Sequence, residues 1–147
     1  MKKTLIAALI ITLSGCAAGG KKTEADIYQE AVTAVSSGTG RAQVDLVTVD
    51  IPSHGAIADL AVIGLGGGAN ATYLRELLTQ LKTTSNQAVL IQGSSASLNY
   101  AVISNAVKDM NLSGVHIIYS GKSAKQDQIA QAIKESGASY YFIDKQK

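Results

Sequence analysis

Cysteine occurs once in this 147-residue chain and proline once; tryptophan is absent, phenylalanine occurs once and histidine twice. Each scarcity excludes something. A single cysteine cannot form an intramolecular disulfide, so packing alone must hold the fold. Two histidines, His54 and His116, have no cysteine near them and no carboxylates at ligand spacing, so no metal site is expected. An excess of one charge is missing as well. There are 13 basic and 11 acidic residues; Lys2 and Lys3 account for two of the 13, which leaves 11 against 11 in the remainder. A neutral domain has no electrostatic reason to bind nucleic acid. The longest apolar run, Thr4 to Leu13, is too short to cross a bilayer comfortably.

What is present begins at that run. Lys2 and Lys3 precede it as a charged leader, and Leu13-Ser14-Gly15-Cys16 follows it. This order resembles the type II signal peptide and lipobox of bacterial lipoproteins. The resemblance covers residues 1–16 and implies three things: cleavage before Cys16, lipidation of its thiol, and acylation of the new amine. Several acyl chains on one residue give stable anchoring, because each buried methylene adds about 0.8 kcal/mol. Ala17 follows the cysteine where an aspartate would imply retention in the inner membrane, so the resemblance implies the outer membrane. The inner membrane and the cell surface are the alternatives. Residues 1–15 are thus expected to be a signal peptide, 16–23 the lipidated cysteine and a short tether, and 24–147 one periplasmic domain. Lys21 and Lys22 in the tether read as solvated; two lysines alone say little about headgroup contact.

The domain reads as α/β. Thr23–Ser36 has Ile27, Ala31 and Val35 at helical spacing, with Glu24 and Asp26 in the first turn where the helix dipole favours them. Val44–Ile51 is rich in β-branched residues and reads as a strand, half-exposed or at an edge. Pro52 to Gly55 is a turn, and Ala56–Leu65 reads as a second strand, joined to the first as an antiparallel hairpin. Helices are then expected over Asn70–Lys82, Ser95–Met110 and Ser123–Ser136, the last opened by a capping-box spacing and closed by Gly137. Strands are expected over Ala88–Ile91, Val115–Tyr119 and Tyr140–Ile143. The expectation is a small three-layer sandwich with a mostly parallel sheet of about five strands, an N-terminal helix and an antiparallel edge hairpin.

In such a sheet, three small-residue loops would leave the carboxyl ends of strands and open helices, where free N–H groups can hold an anion. Their candidate ligand residues are Gly66, Gly67, Gly68 and Asn70; Ser94 and Ser95; and Gly121, Lys122 and Ser123. Gly64, Gly66 and Ala69 fit the dinucleotide glycine spacing, but no acidic residue follows at the distance needed to hold a ribose. Gly121-Lys122-Ser123 imitates the end of a P-loop, yet its first glycine would fall at His116. Both nucleotide readings fail, and no cofactor is expected. A serine hydrolase would use a loop serine after Gln92-Gly93, which lacks the G-x-S-x-G elbow, with no acid to orient His116. Asp45 and Asp50 point to opposite faces of one strand and make no glycosidase pair. No catalytic residue is assigned.

Six of the seven aromatic residues are tyrosines. Most read as core borders, and Tyr140-Tyr141-Phe142 is the stretch best suited to partner contact. The expected function is therefore non-catalytic: an accessory or assembly component of an envelope process such as a secretion, pilus or transfer apparatus. Its partners would be the membrane, through the lipid, and an envelope protein. The alternatives are a binding module for a small anionic ligand or glycan at the Gly/Ser loops, and an envelope serine hydrolase.

Overall fold

The structure is a computed structural model that describes residues 20–85 and 87–146. The leader, the lipobox and Cys16 lie outside the described residues. Nine α and β elements follow in chain order: α1 (Glu24–Thr39), β1 (Val47–Ile51), α2 (Ala56–Gly64), α3 (Gly68–Leu81), β2 (Ala88–Gly93), α4 (Ala96–Val107), β3 (His116–Gly121), α5 (Gln126–Glu135) and β4 (Ser139–Asp144), with a one-turn 3-10 helix at Ser123–Lys125 before α5. The sheet order is β1-β2-β3-β4 and every pair is parallel. The domain is a small α/β sandwich, as its alternating pattern predicts.

A parallel sheet that grows by one strand at a time, always in the same direction, places its right-handed crossovers on one face. The burial follows. On the crossover face, Val49, Ile51, Val89, Ile91, Ile117 and Tyr119 pack against Leu74, Leu78 and Leu81 of α3, Leu98, Val102 and Ile103 of α4, and Ile129 and Ile133 of α5. On the other face, α1 supplies Ile27, Ala31 and Val35 against Ala88, Leu90, Ile118 and Ile143, with Val44, Leu46 and Tyr141 at the margin. Central β2 is buried along its whole length, as a strand covered on both sides must be. Edge strand β1 instead alternates, with Val49 and Ile51 buried and Thr48 and Asp50 exposed.

Two sequence expectations are corrected. Ala56–Gly64 is a helix, not a strand, so the edge hairpin and the fifth strand are absent among the described residues. A short apolar run does not by itself separate strand from helix. Here three alanines favour helix, and Asp59 ties the first turn down by accepting from the Ser53 hydroxyl (2.6 Å) and the His54 N–H (3.0 Å). The second correction concerns Ser123–Gln126. Ser123–Lys125 form the 3-10 turn without a side-chain cap, and a capping box lies instead at Thr23 and Asp26. Gly137 does close α5, donating to the Lys134 carbonyl (2.9 Å).

The triple glycine follows from the first correction. It joins two helices rather than a strand to a helix. Gly66 donates to the Ile63 carbonyl and Gly67 to the Val62 carbonyl, both at 2.9 Å, the paired bonds of a Schellman C-terminus. Gly66, Gly67 and Gly68 have φ of 65°, 89° and 54°, values that favour glycine. Gly67 also brings two backbones together: a Cβ there would stand 2.7 Å from the Val102 Cα of α4. The Asn105 side chain fixes the joint by donating to the Gly66 carbonyl at 2.7 Å.

Candidate functional site

The carboxyl edge of the sheet is where ligands meet parallel α/β domains, and two of the three predicted loops do reach it. Ser94 and Ser95 follow β2, and Lys122 and Ser123 follow β3. The chain after β4 and the chain entering α1 arrive at the same place. The result is a cavity of about 240 Å³ lined by Lys21, Lys22, Gly93, Ser94, Gly121, Lys122, Lys145 and Gln146. Gly66, Gly67, Gly68 and Asn70 do not join it. They lie at the helix joint, with Gly66 against the outer side of α4 beside Ser104 and Asn105.

Four lysines therefore meet where adjacent residues in sequence supply only two. The Lys22 ammonium is 2.6 Å from the Glu30 carboxylate. No carboxylate lines the cavity. Nearby Asp144 accepts from the Gln146 backbone N–H at 2.9 Å. In the first turn of α1, Asp26 binds the Thr23 hydroxyl and backbone N–H, which hold its pKa below the usual carboxylate range.

Gly93 and Gly121 are small because of what lies beneath them. Asn99 of α4 is fully buried and donates through Nδ2 to the Tyr119 hydroxyl at 3.0 Å. A Cβ on Gly93 would run into the Asn99 side chain, and one on Gly121 into the Tyr119 hydroxyl. These glycines make room for a buried polar pair under the strand ends. Burial raises the Tyr119 pKa, with the Asn99 hydrogen bond opposing it. Asn99 Oδ1, Gln92 Oε1 and Ser120 Oγ are buried without a protein partner. Gln92 and Ser120 face each other in register across β2 and β3.

The serine-hydrolase arrangement does not assemble. Ser95 and Ser53 are both directed at Asp59, whose pKa is lowered mainly by the Ser53 hydroxyl and the His54 backbone N–H. In a triad, an imidazole stands between serine and acid; here the acid takes the hydroxyl directly, and His54 contributes its backbone. His116 is far from this cluster, at the amino end of β3. Its ring stacks on Tyr141 at 6.1 Å, and burial followed by the Arg41 charge lowers its pKa. Among the described residues no group of three or more His, Cys, Asp or Glu side chains could hold a metal ion.

Tyr140, Tyr141 and Phe142 are half-buried in β4. Tyr140 donates to Gln126 Oε1 at 3.2 Å, and burial pushes its pKa far up, helped by Tyr119 and Asp127. The Tyr141 hydroxyl sits over Gly38, and Phe142 stacks on Tyr119 at 5.8 Å. The large apolar side chains left in solvent are elsewhere: Ile57 (88% exposed), Leu60 (66%) and Leu65 (76%) on and just after α2, Tyr73 on α3, and Tyr28 on α1. Ile57 and Leu60 lie three apart on one face of α2, a spacing legible only once the segment is read as a helix.

Compared with known proteins, the chain matches no protein-family model, no curated protein and no solved structure.

Proposed function

We propose that the protein is a lipid-anchored envelope component, acylated at Cys16 and held at the periplasmic face of the outer membrane, with a non-catalytic assembly role. The observation that carries the assembly role is α2. Asp59 is its only buried residue, while Ile57 and Leu60 face solvent and Leu65 follows at its end. A helix apolar on every face is a buried helix, so this one is a half-covered element that a partner completes. The partner is a protein with an apolar surface, because the exposed face of α2 presents Ile57 and Leu60 and the helix itself carries no basic residue. Burying a Leu or Ile side chain contributes about 1.5–3 kcal/mol, so two or three of them suffice for the centre of an interface.

The test is a photoreactive residue at position 60 of the full chain in cells that process lipoproteins, with position 131 on α5 as control. One envelope protein captured at 60 and not at 131 is the expected result. An adduct of twice the chain's mass would replace the partner by a second copy, and no specific adduct at 60 would end the assembly reading. Fatty-acid labelling tests the anchor separately: it should be lost in Cys16→Ser, and a label that persists would place the acyl chain elsewhere.

A second reading, a module for a small anionic ligand, is favoured by the lysine-lined cavity at the sheet edge. Titration calorimetry with inorganic phosphate tests it; no heat of binding at millimolar phosphate removes it.

A further inference from the structure

We infer that the carboxyl edge of the sheet is the membrane-facing side of the domain, and that its lysine-lined cavity receives the phosphate of an anionic phospholipid headgroup. The inference rests on acylation of Cys16 as the anchor.

The described chain begins at Gly20, and Lys21 and Lys22 line the cavity itself. Gly20 is four residue steps from Cys16, and fully extended these span about 14 Å. An acylated Cys16 therefore holds this edge close to the headgroups. The opposite edge, where β2 begins, is further away by the length of a strand of six residues, roughly 20 Å at 3.3 Å per residue.

Lys122 and Lys145 come from the ends of β3 and β4 to join Lys21 and Lys22 around one concavity with no acidic lining. Glu30 neutralises part of this through Lys22, which leaves Lys21, Lys122 and Lys145 without a carboxylate partner in the cavity wall. Cavities at the amino edge mix signs instead: Arg41 lies with Asp45 in one, and Lys108 with Asp109 and Glu135 in another. A neutral domain thus gathers four lysines around one concavity at the edge its tether holds to the bilayer, with Glu24, Asp26 and Asp144 at the same edge but outside the cavity wall. Lysines at an anionic membrane surface act within about a Debye length, and the tether keeps these within that range.

The chain's cysteine usage makes the test direct. Cys16 is the only cysteine and its thiol is consumed by the lipid, so one introduced cysteine gives one probe position. Full-length acylated Ser94→Cys (cavity wall) and Gln80→Cys (exposed, near the end of α3) carry a fluorophore. Each is reconstituted into vesicles with nitroxide-labelled lipid, of phosphatidylethanolamine alone or mixed with phosphatidylglycerol. The expected result is strong quenching at position 94 and little at 80, with the difference requiring phosphatidylglycerol. Each lysine is worth about fivefold in the docked population, so Lys122→Gln with Lys145→Gln should lower it about 25-fold with an unchanged melting temperature. Equal quenching at the two positions, or no dependence on the anionic lipid, overturns the inference. Release by inorganic phosphate beyond that by sodium chloride of equal ionic strength is expected of a cavity that receives a headgroup phosphate; saturable phosphate binding without any anionic-lipid-dependent quenching would assign the site to a soluble phosphate and overturn the headgroup assignment. Mass analysis of the N-terminal peptide separates the two layers. An unacylated Cys16 refutes the anchor alone, and sedimentation of that chain with the same vesicles, with and without Lys122 and Lys145, then decides the docking.

Discussion

Replacing the glycines of VIGLGGGAN one at a time separates a helix joint from a ligand loop. Gly67→Ala meets two penalties. Its φ of 89° lies where an L-residue pays about 1–2 kcal/mol, and its new methyl would press on backbone, 2.7 Å from Val102 Cα and 3.1 Å from Ala71 Cβ. Overpacking of that kind costs about 1–3 kcal/mol, so the substitution should destabilise by about 2–5 kcal/mol. Gly68→Ala has the conformational penalty without the clash, since its nearest neighbour is Val62 Cγ1 at 3.8 Å; about 1–2 kcal/mol is expected. Gly64→Ala has neither: its φ is not positive, no atom lies within 4 Å, and it ends α2, so a gain of about 0.5–1 kcal/mol is expected. Urea denaturation of the full chain orders the three. With a slope of about 1–3 kcal/mol per molar urea, Gly67→Ala should lower the midpoint by roughly 1–2 M, Gly68→Ala by less, and Gly64→Ala should raise it. If Gly67→Ala and Gly68→Ala fell together, the close approach of the joint to α4 would be wrong. If none of the three moved and a bound anion were lost, the glycines would be a ligand loop after all.

Leu60→Asp should leave the melting temperature within experimental error, because the side chain is two-thirds exposed, yet abolish the adduct formed at neighbouring position 57 by a photoreactive residue; a persistent adduct would move the interface off α2. Tyr119→Phe strips Asn99 Nδ2 of its acceptor while Oδ1 already lacks a partner, a loss of about 1–3 kcal/mol, readable by the same urea titration; an unchanged midpoint would mean the pair is not closed in solution. His116 takes up a proton near pH 6.5 when unfolded and only at lower pH in the fold. The unfolded state then binds more protons in that window, so stability should fall as pH drops from 7.5 toward 5.5, and His116→Gln should flatten the melting curve's pH dependence; an equally steep profile in the variant would assign it to another group.

The parallel sheet was legible because its evidence is periodic and local: unbroken apolar runs for β2 and β3, and helical spacing for α3, α4 and α5. The α2 segment was misread for a reason equally local. Eight apolar residues and one aspartate after a Pro-Ser-His-Gly turn satisfy strand and helix patterns alike, and the deciding contact, the Asp59 carboxylate on Ser53 and His54, shows in no periodicity. That one error carried the glycine triplet to the wrong place, since a loop belongs to the sheet's carboxyl edge only if a strand precedes it. It also hid the outward stripe of Ile57 and Leu60, because a strand would have turned alternate residues inward. Part of the edge cavity is legible in the sequence: Ser94, Gly121 and Lys122 follow from the strand ends. The rest is not, because α1 runs antiparallel to the strands and brings Lys21 and Lys22 back over a site whose remaining members lie about 70 to 125 residues later in the chain. Two lysines beside an anchor read as solvent-exposed tether; four around one cavity at the anchored edge define an orientation. The difference is made entirely by where α1 packs, which Ile27, Ala31 and Val35 fix against Leu90, Ile118 and Ile143. The same three residues that close the second core therefore also set which face of the domain an acylated Cys16 would turn to the membrane.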